Sequence, residues 1–122
     1  MNTLHIHVGE PMAATLDRAR TAMQAIARGE TPEPYFGVGF ESLPQLMTTF
    51  TPRRWELISH LRQAGPLSIA ELARRLHRNY KNVHEDVSAL MQWETIRCDE
   101  QGRVFVPWDE IDLRLPPFQQ AA

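Results

Sequence analysis

Residues 67–93 read LSIAELARRLHRNYKNVHEDVSALMQW, and they carry the strongest periodic pattern in the chain. Ser68 stands three residues before Glu71, which is the capping-box spacing at the start of a helix. Asn79 is of the residue type preferred at the N-cap of a second helix. The two residues between the helical patterns, His77-Arg78, predict a short turn. The stretch therefore predicts two helices in tight succession.

The apolar residues of the second helix, predicted over residues 79–93, indicate which of its sides faces inward. Val83, Val87 and Leu90 recur at helical spacing and predict the buried side. Tyr80 and Asn82 project from the first turn. The polar residues on or near the outward side are Lys81, His84, Glu85, Ser88 and Gln92. Such a face suits a helix that enters the major groove of DNA, where Lys, Asn and Ser side chains can bond base edges.

Two further elements flank this pair of helices. Thr51-Pro52 is an N-cap followed by proline at the first helical position, and the helix that follows is predicted to bury Trp55, Ile58 and Leu61. On the other side, residues 95–98 and 103–106 alternate apolar and polar side chains around a turn that contains Gly102. Three helices followed by a β-hairpin are the order of a winged helix-turn-helix. We therefore expect a mainly α-helical fold with a small β component.

The N-terminal half has a different pattern. Residues 4–8 alternate as a short strand, residues 12–28 form an amphipathic helix with Leu16, Ala19, Met23 and Ile26 on one face, and a proline-rich linker follows. A lone strand is not stable in water, so we expect it to pair with a C-terminal strand at 111–115 or with its copy in a second chain. We predict a homodimer built from residues 1–50 and that C-terminal strand.

The chain is thus predicted to divide into a strand-helix extension (1–50), a winged helix-turn-helix domain (51–115) and a tail (116–122). Charge follows this division. Residues 51–107 carry nine Lys and Arg against seven Asp and Glu, whereas residues 1–50 and 108–122 each have a balance of −2. Because local charge governs binding, the middle segment is the candidate binding unit.

Composition restricts the class of protein. Of the 122 residues, 43% are hydrophobic and 23% charged, which is ordinary for a globular domain. No apolar run approaches the roughly 20 residues of a spanning helix, and no basic flank precedes an apolar stretch at the N-terminus. The single cysteine, Cys98, is typical of a reducing compartment. We expect a cytoplasmic protein in which Cys98 is a buried, unreactive thiol.

The residues predicted to contact DNA fall into three groups. Arginines just before the outward-facing helix are expected to hold phosphates, its polar side to read bases, and hairpin arginines to touch the backbone. We also expect Asp86 to pair with Arg74 or Arg75, and Glu85 either to accept from cytosine or to pair with Arg78 or Lys81. The full set is Ser68, Arg74, Arg75, Arg78, Asn79, Tyr80, Lys81, Asn82, His84, Glu85, Ser88, Arg97 and Arg103.

Other sets of residues point to less specific chemistry. His5 and His7 on one strand are too few for a zinc site, which needs three or four ligands, and we expect them on the solvent side of an edge strand. Asp109, Glu110 and Asp112 resemble the metal-binding set of a nuclease, but they follow one another too closely to converge on a metal without a partner from elsewhere in the chain, so a magnesium-dependent nuclease is the least favoured interpretation. No phosphate-binding glycine loop or Ser/His/Asp set is present in the sequence. We expect no enzyme activity, no metal and no cofactor.

Four segments together resemble a family of small prokaryotic MarR-like winged helix-turn-helix regulators. They are TPRRWEL (51–57), LSIAELARRL (67–76), YKNVHEDV (80–87) and GRVFVPWDEI (102–111). The resemblance implies that helix 79–93 is the recognition helix and 95–106 the wing. Proteins of that family are often encoded beside a small toxin, which implies a role as an antitoxin that represses its own operon. Trp93-Glu94-Thr95-Ile96 stands where a Leu-Gly-Leu-type turn is common.

The sequence leaves two functions open. The first is a sequence-specific DNA-binding transcriptional repressor that is also the antitoxin of a toxin–antitoxin pair, with double-stranded DNA, a second copy and a cognate toxin as partners. The second is a protein-interaction module that binds and neutralises a partner protein without reading DNA. The apolar segment after the linker favours the second, and its candidate contact residues are Tyr35, Phe36, Phe40 and Leu43.

Overall fold

The computed structural model describes residues 2–115 and shows a mainly α-helical chain with a small β component. Its elements in chain order are β1 (Thr3–Val8), α1 (Met12–Ala27), β2 (Phe36–Phe40), α2 (Leu43–Thr49), α3 (Pro52–Ala64), α4 (Ile69–Leu76), α5 (Tyr80–Gln92), β3 (Arg97–Cys98), β4 (Val104–Phe105) and β5 (Glu110–Arg114). The tail predicted over residues 116–122 lies outside the described residues.

β1 is the central strand of a three-stranded parallel sheet, with β2 along one side and β5 along the other. Because side chains alternate along a strand, Leu4, Ile6 and Val8 face the core, while His5 and His7 face the opposite side. The predicted pairing of the first strand with the C-terminal strand is confirmed. The prediction that the two histidines lie on an edge strand is wrong, because β1 is flanked on both sides.

α1 connects β1 to β2 and turns its small residues toward the rest of the chain. Ala25 is buried, and Ala14 and Ala22 are half-buried. The large apolar residues of α1 lie on the outward side, and their exposed fractions run from 61% to 71% for Met12, Leu16, Met23 and Ile26. This outward row, called the α1 stripe below, leaves an apolar surface open within one copy of the chain.

A single buried cluster joins the core-facing side of the sheet to α2, α3, α4 and α5. In α3, the predicted burial of Ile58 and Leu61 is confirmed. Leu57 is the third buried residue of that helix, whereas Trp55 is half-buried and stacks on Phe50 with ring centroids 5.0 Å apart. The sheet and the helices therefore share one core, rather than forming two separately packed units.

β3 and β4 pair antiparallel, which confirms the predicted hairpin. Gly102 has φ +77° in its turn, a left-handed conformation that a side chain would disfavour. A bridge between Leu67 and Val104 fixes the hairpin to the segment before α4. Cys98 is exposed on β3, so the prediction of a buried thiol is wrong: both residues of β3 are exposed, and Val104 of β4 is the strand residue of the hairpin that is buried.

Asp86 links three parts of the helical unit. Its Oδ1 accepts from Arg54 Nε of α3 at 3.0 Å, and its Oδ2 accepts from Arg78 Nη2 at 2.7 Å. All three side chains are mostly buried. The predicted pairing of Asp86 with Arg74 or Arg75 is wrong, because those arginines lie on the exposed side of α4 while Arg54 approaches Asp86 from a neighbouring helix.

Replacing Asp86 with alanine should lower the free energy of unfolding by about 3 kcal/mol, because two largely buried guanidinium groups would lose their shared carboxylate. Urea unfolding followed by circular dichroism measures this change. Asp17→Ala is the matched control, since Asp17 forms an exposed pair with Arg20 and should cost less than about 1 kcal/mol. Equal losses in the two variants would contradict the linking role of Asp86.

Candidate nucleic-acid interface

The two central helices are joined as their sequence predicts. The Ser68 hydroxyl accepts from the backbone N–H of Glu71 at 3.1 Å, which caps α4. His77 ends α4 in the left-handed conformation, with φ 54° and ψ 43°. The Asn79 side chain then accepts from the backbone N–H of Lys81 at 2.8 Å and caps α5. Because each cap bonds to the backbone, Ser68 fixes where α4 begins and Asn79 fixes where α5 begins.

α5 has one fully buried side and one largely exposed side. Val83, Val87 and Leu90 each have 0% exposure, which confirms the inward side predicted from their spacing. The exposed residues of the opposite side are Tyr80, Lys81, Asn82, His84 and Glu85. Ser88 is half-buried, so less of its hydroxyl is accessible than the sequence suggested. A continuous polar surface therefore runs from the first turn of α5 to its middle.

Glu71 holds both arginines on the exposed side of α4. Its carboxylate accepts from Arg74 Nε at 2.9 Å and from Arg75 Nε at 3.0 Å. The hydrogen bond from Arg74, followed by that from Arg75, is the main reason why the pKa of Glu71 is lowered to about 2. The two arginines are therefore surface groups whose charge is partly offset by one carboxylate.

The arginines around the start of α5 differ in accessibility. Arg78 has only 16% side-chain exposure and is tied to Asp86, so its main role is to hold α5 in place. Arg53 of α3 is exposed and lines the same cleft as Asn79 and Asn82. Arg53 is not among the residues predicted from the sequence, because a whole helix separates α3 from α5 in the chain and no local pattern shows that their N-terminal ends line one cleft.

The hairpin holds its two predicted arginines in different ways. Arg103 donates through Nε to Asp99 at 3.0 Å, within the hairpin itself. The guanidinium of Arg97 lies over the ring of Trp108, 5.2 Å from its centroid, and 5.8 Å from that of Phe36. Arg97 thus contacts aromatic rings near the sheet, and Arg103 is the one nearer the turn.

Glu85 is exposed on α5 among the polar residues proposed to face DNA. Over residues 2–115 it takes part in no ion pair, so the predicted pairing with Arg78 or Lys81 is wrong. Arg78 is instead engaged by Asp86 from the buried side of the helix. A carboxylate at this position would repel the phosphates of DNA. It could accept a hydrogen bond from the amino group of a base, such as N4 of cytosine.

The four residues predicted to contact a protein partner do not share one surface. Phe40 is 3% exposed and stacks on Trp93 with ring centroids 4.2 Å apart, so a partner could not reach it without opening the core. Tyr35, Phe36 and Leu43 are 36% to 45% exposed. Tyr35 stacks on His5, with centroids 4.7 Å apart, on the side of the sheet that carries the histidines.

That histidine side of the sheet carries hydrogen bonds rather than a ligand cluster. His7 bonds the Tyr35 hydroxyl, and His5 Nδ1 lies 3.2 Å from Asp112 Oδ2. Among the described residues, no group of three or more His, Cys, Asp or Glu side chains is placed to hold a metal ion. Likewise, none of the helices in that part of the chain has the length and apolar character to cross a membrane.

Titration of Glu71 should show the effect of its two arginines. Above pH 4.5 its ionised form supports folding, and this contribution is lost as the pH falls toward the folded-state pKa of about 2. Replacing Arg74 and Arg75 with alanine should bring the pKa of Glu71 back toward 4.5, as measured by NMR of the side-chain carboxyl. Arg103→Ala, which removes an arginine paired with Asp99 instead, should leave that pKa in place. An unchanged pKa in the double variant would contradict this account.

One family model matches the chain, and it covers the part that contains the helices and the hairpin just described. This is the HVO_A0114 family, matched over residues 49–113, more than half of the 122 residues. The match includes α3, α4, α5, β3 and β4 and most of β5, and leaves out β1, α1 and β2. Neither a curated protein nor a solved structure matches the chain. The chain belongs to the HVO_A0114 family.

Proposed function

We propose that this protein is a sequence-specific DNA-binding transcriptional regulator, with α4 and α5 as a helix-turn-helix and the β3–β4 hairpin as its wing. One observation carries the proposal. α5 buries Val83, Val87 and Leu90 completely and thereby turns a polar side outward over its first turns. In helix-turn-helix proteins the N-terminal residues of the second helix contact base edges.

The accessible groups fall into two sets, one suited to phosphate contacts that give affinity and one suited to base contacts that give sequence preference. Arg53, Arg74 and Arg75 are exposed beside α5 and suit phosphate contacts. Lys81 and Asn82 stand on its first turn, where Asn can bond an adenine edge with two hydrogen bonds. Tyr80 and His84 lie against each other, with ring centroids 5.9 Å apart, and add a flat polar surface beside them.

Carboxylates near this surface make its electrostatic potential less positive than the number of arginines suggests. Glu71 bonds both Arg74 and Arg75, and Glu85 stands exposed on α5. A phosphate must therefore compete with Glu71 for the two guanidinium groups. We infer that non-specific binding is weak and that base contacts contribute a large part of the preference for the operator.

The cellular role is the part of the proposal that rests on the MarR-like resemblance. It makes the protein a cytoplasmic autorepressor and the antitoxin of a toxin–antitoxin pair. A homodimer fits this role, because a two-fold protein matches two half-sites about one helical turn apart. An adjacent toxin-like reading frame is the genomic observation that tests the antitoxin role.

A second function, binding of a partner protein without reading DNA, is favoured by the α1 stripe. Four large apolar side chains there are more than half exposed, and such rows commonly mark interaction sites. Substitutions on different surfaces distinguish the two functions. Changes on α5 should abolish DNA binding and spare partner binding, whereas charged substitutions on the α1 stripe should do the reverse.

Lys81→Ala should weaken binding to the upstream DNA of its own gene and reduce the magnitude of the slope of log K against log salt by about 0.9, the value for one phosphate contact. Fluorescence anisotropy across a salt series measures both quantities. Arg28→Ala is the matched control, since it removes one positive charge from the end of α1. An equal change of slope in both variants would show that overall charge, and not Lys81, is responsible.

Asn82→Ala should instead relax sequence preference, by about 1–3 kcal/mol at one base pair. Competition binding with operators substituted at single positions measures this loss. Gln92→Ala, an exposed amide at the far end of α5, should retain the preference. A uniform loss of affinity for all sequences in Asn82→Ala would count against base reading by Asn82.

A further inference from the structure

β5 forms one edge of the three-stranded sheet in the described part of the chain. The strand order is β2-β1-β5, so one side of β5 bonds β1 and the other side is open. Edge strands present a row of unpaired N–H and C=O groups, and proteins usually cover, charge or shorten them. β5 has five residues, and all five pair with β1 in one continuous register. Its backbone is therefore extended along its whole length and can accept another strand on the open side.

The backbone directions along β5 identify the groups on the open side. Glu110 donates its backbone N–H to Asn2 O at 3.3 Å, which points residue 110 toward β1. Because backbone groups alternate along a strand, residues 112 and 114 point the same way. The N–H and C=O groups of Ile111 and Leu113 therefore point away from β1, toward the open side.

Apolar side chains accompany these open backbone groups. Leu113 lies opposite Ile6 in the register of β1, on the core-facing side of the sheet, yet it is 45% exposed. Leu115, the residue after β5, is also 45% exposed. Leucine side chains on the core-facing side of a sheet are normally covered by the next strand and its packing partners. Their exposure leaves an apolar strip uncovered along this edge in residues 2–115.

We propose that the sheet continues into β5 of a second copy of this chain, antiparallel, with Leu113 opposite the partner's Leu113. The occupant is a second copy because the strand is complementary to itself. In this register Asp112 lies opposite the partner's Arg114, and Arg114 opposite the partner's Asp112, on the side of the sheet that carries His5. On the other side, Ile111 meets the partner's Leu115. Each contact occurs twice, as a two-fold interface requires.

Charge selects this register over its neighbours. Shifting the two-fold axis to Asp112 would place two Asp112 carboxylates directly opposite each other, and shifting it to Ile111 would place Glu110 opposite the partner's Asp112. Like charges in directly opposed positions destabilise a strand pair. The register centred on Asp112 also opposes Glu110 to the partner's Arg114, but only the register centred on Leu113 opposes carboxylate to guanidinium without placing like charges directly opposite each other. In the described residues, both contacts of Asp112 use Oδ2, which leaves Oδ1 for the partner's arginine.

The resulting dimer has a continuous six-stranded sheet, in the order β2-β1-β5 followed by the same three strands reversed in the second copy. This inference rests on the homodimer part of the proposed function and not on DNA binding. Its experiments therefore contain no DNA, so that a failure of the dimer and a failure of DNA reading are distinguishable.

Light scattering at micromolar concentration should give the unmodified protein twice the chain mass of 14.0 kDa. Leu113→Lys should reduce the mass to that of one chain, because a charged edge residue opposes strand addition. Met23→Lys is the matched control, since it puts the same charge on the exposed α1 stripe, and it should remain dimeric. A monomeric unmodified protein, a dimeric Leu113→Lys or a monomeric Met23→Lys would each overturn the proposal.

A crosslinking variant tests the register itself and does not depend on how Leu113→Lys folds. In an antiparallel hydrogen-bonded pair the Cα atoms lie about 5.5 Å apart, which is within the span of a disulfide. Leu113→Cys in a Cys98→Ser background should form a disulfide-linked dimer under mild oxidation. Met47→Cys in the same background, an exposed residue on α2, should stay monomeric on a non-reducing gel. Equal crosslinking of the two variants, or none by Leu113→Cys, would overturn the proposed register.

Discussion

The rotation of α5 about its own axis decides what this protein can contact. Val83, Val87 and Leu90 bury their side chains completely, and this removal of apolar surface from water sets which side of the helix faces out. Asp86 then locks the rotation by joining Arg54 of α3 and Arg78 of the preceding turn. Since a helix has 3.6 residues per turn, an inward stripe of three residues also fixes an outward stripe.

The helical unit carries many arginines, yet it leaves few of them free. Arg54 and Arg78 pair with Asp86. On the exposed side, Arg74 and Arg75 both pair with Glu71, and Arg103 pairs with Asp99. Buried pairs of this kind contribute geometry, whereas the exposed pairs are exchangeable with an external anion. The proposed nucleic-acid surface therefore depends on a few accessible groups on α3, α4 and α5 rather than on a strongly positive field.

The N-terminal segment has two roles in the fold. Leu4, Ile6 and Val8 complete the core of the helical unit, and β1 holds β5 in place. Two surfaces of this part of the fold are open in the described residues. One is the α1 stripe, and the other is the edge of β5, the strand that pairs with β1. The matched family segment ends within β5, so β5 belongs to the family's common part while its neighbour β1 does not.

Local sequence patterns were enough to predict the caps at Ser68 and Asn79, the inward side of α5 and the hairpin turn at Gly102. Each depends on residues within one or two turns of each other, where spacing and residue type act directly. The packing of the folded chain was needed to learn which guanidinium groups reach Asp86, that Phe40 is buried, that Cys98 is exposed and that β1 is a central strand. These outcomes depend on where distant segments meet: Arg54 and Asp86 are 32 residues apart, and β1 is central because β2 also pairs with it, with Ile6 opposite Val38. Pairing over such separations is set by the packing of the whole chain, which no local pattern encodes.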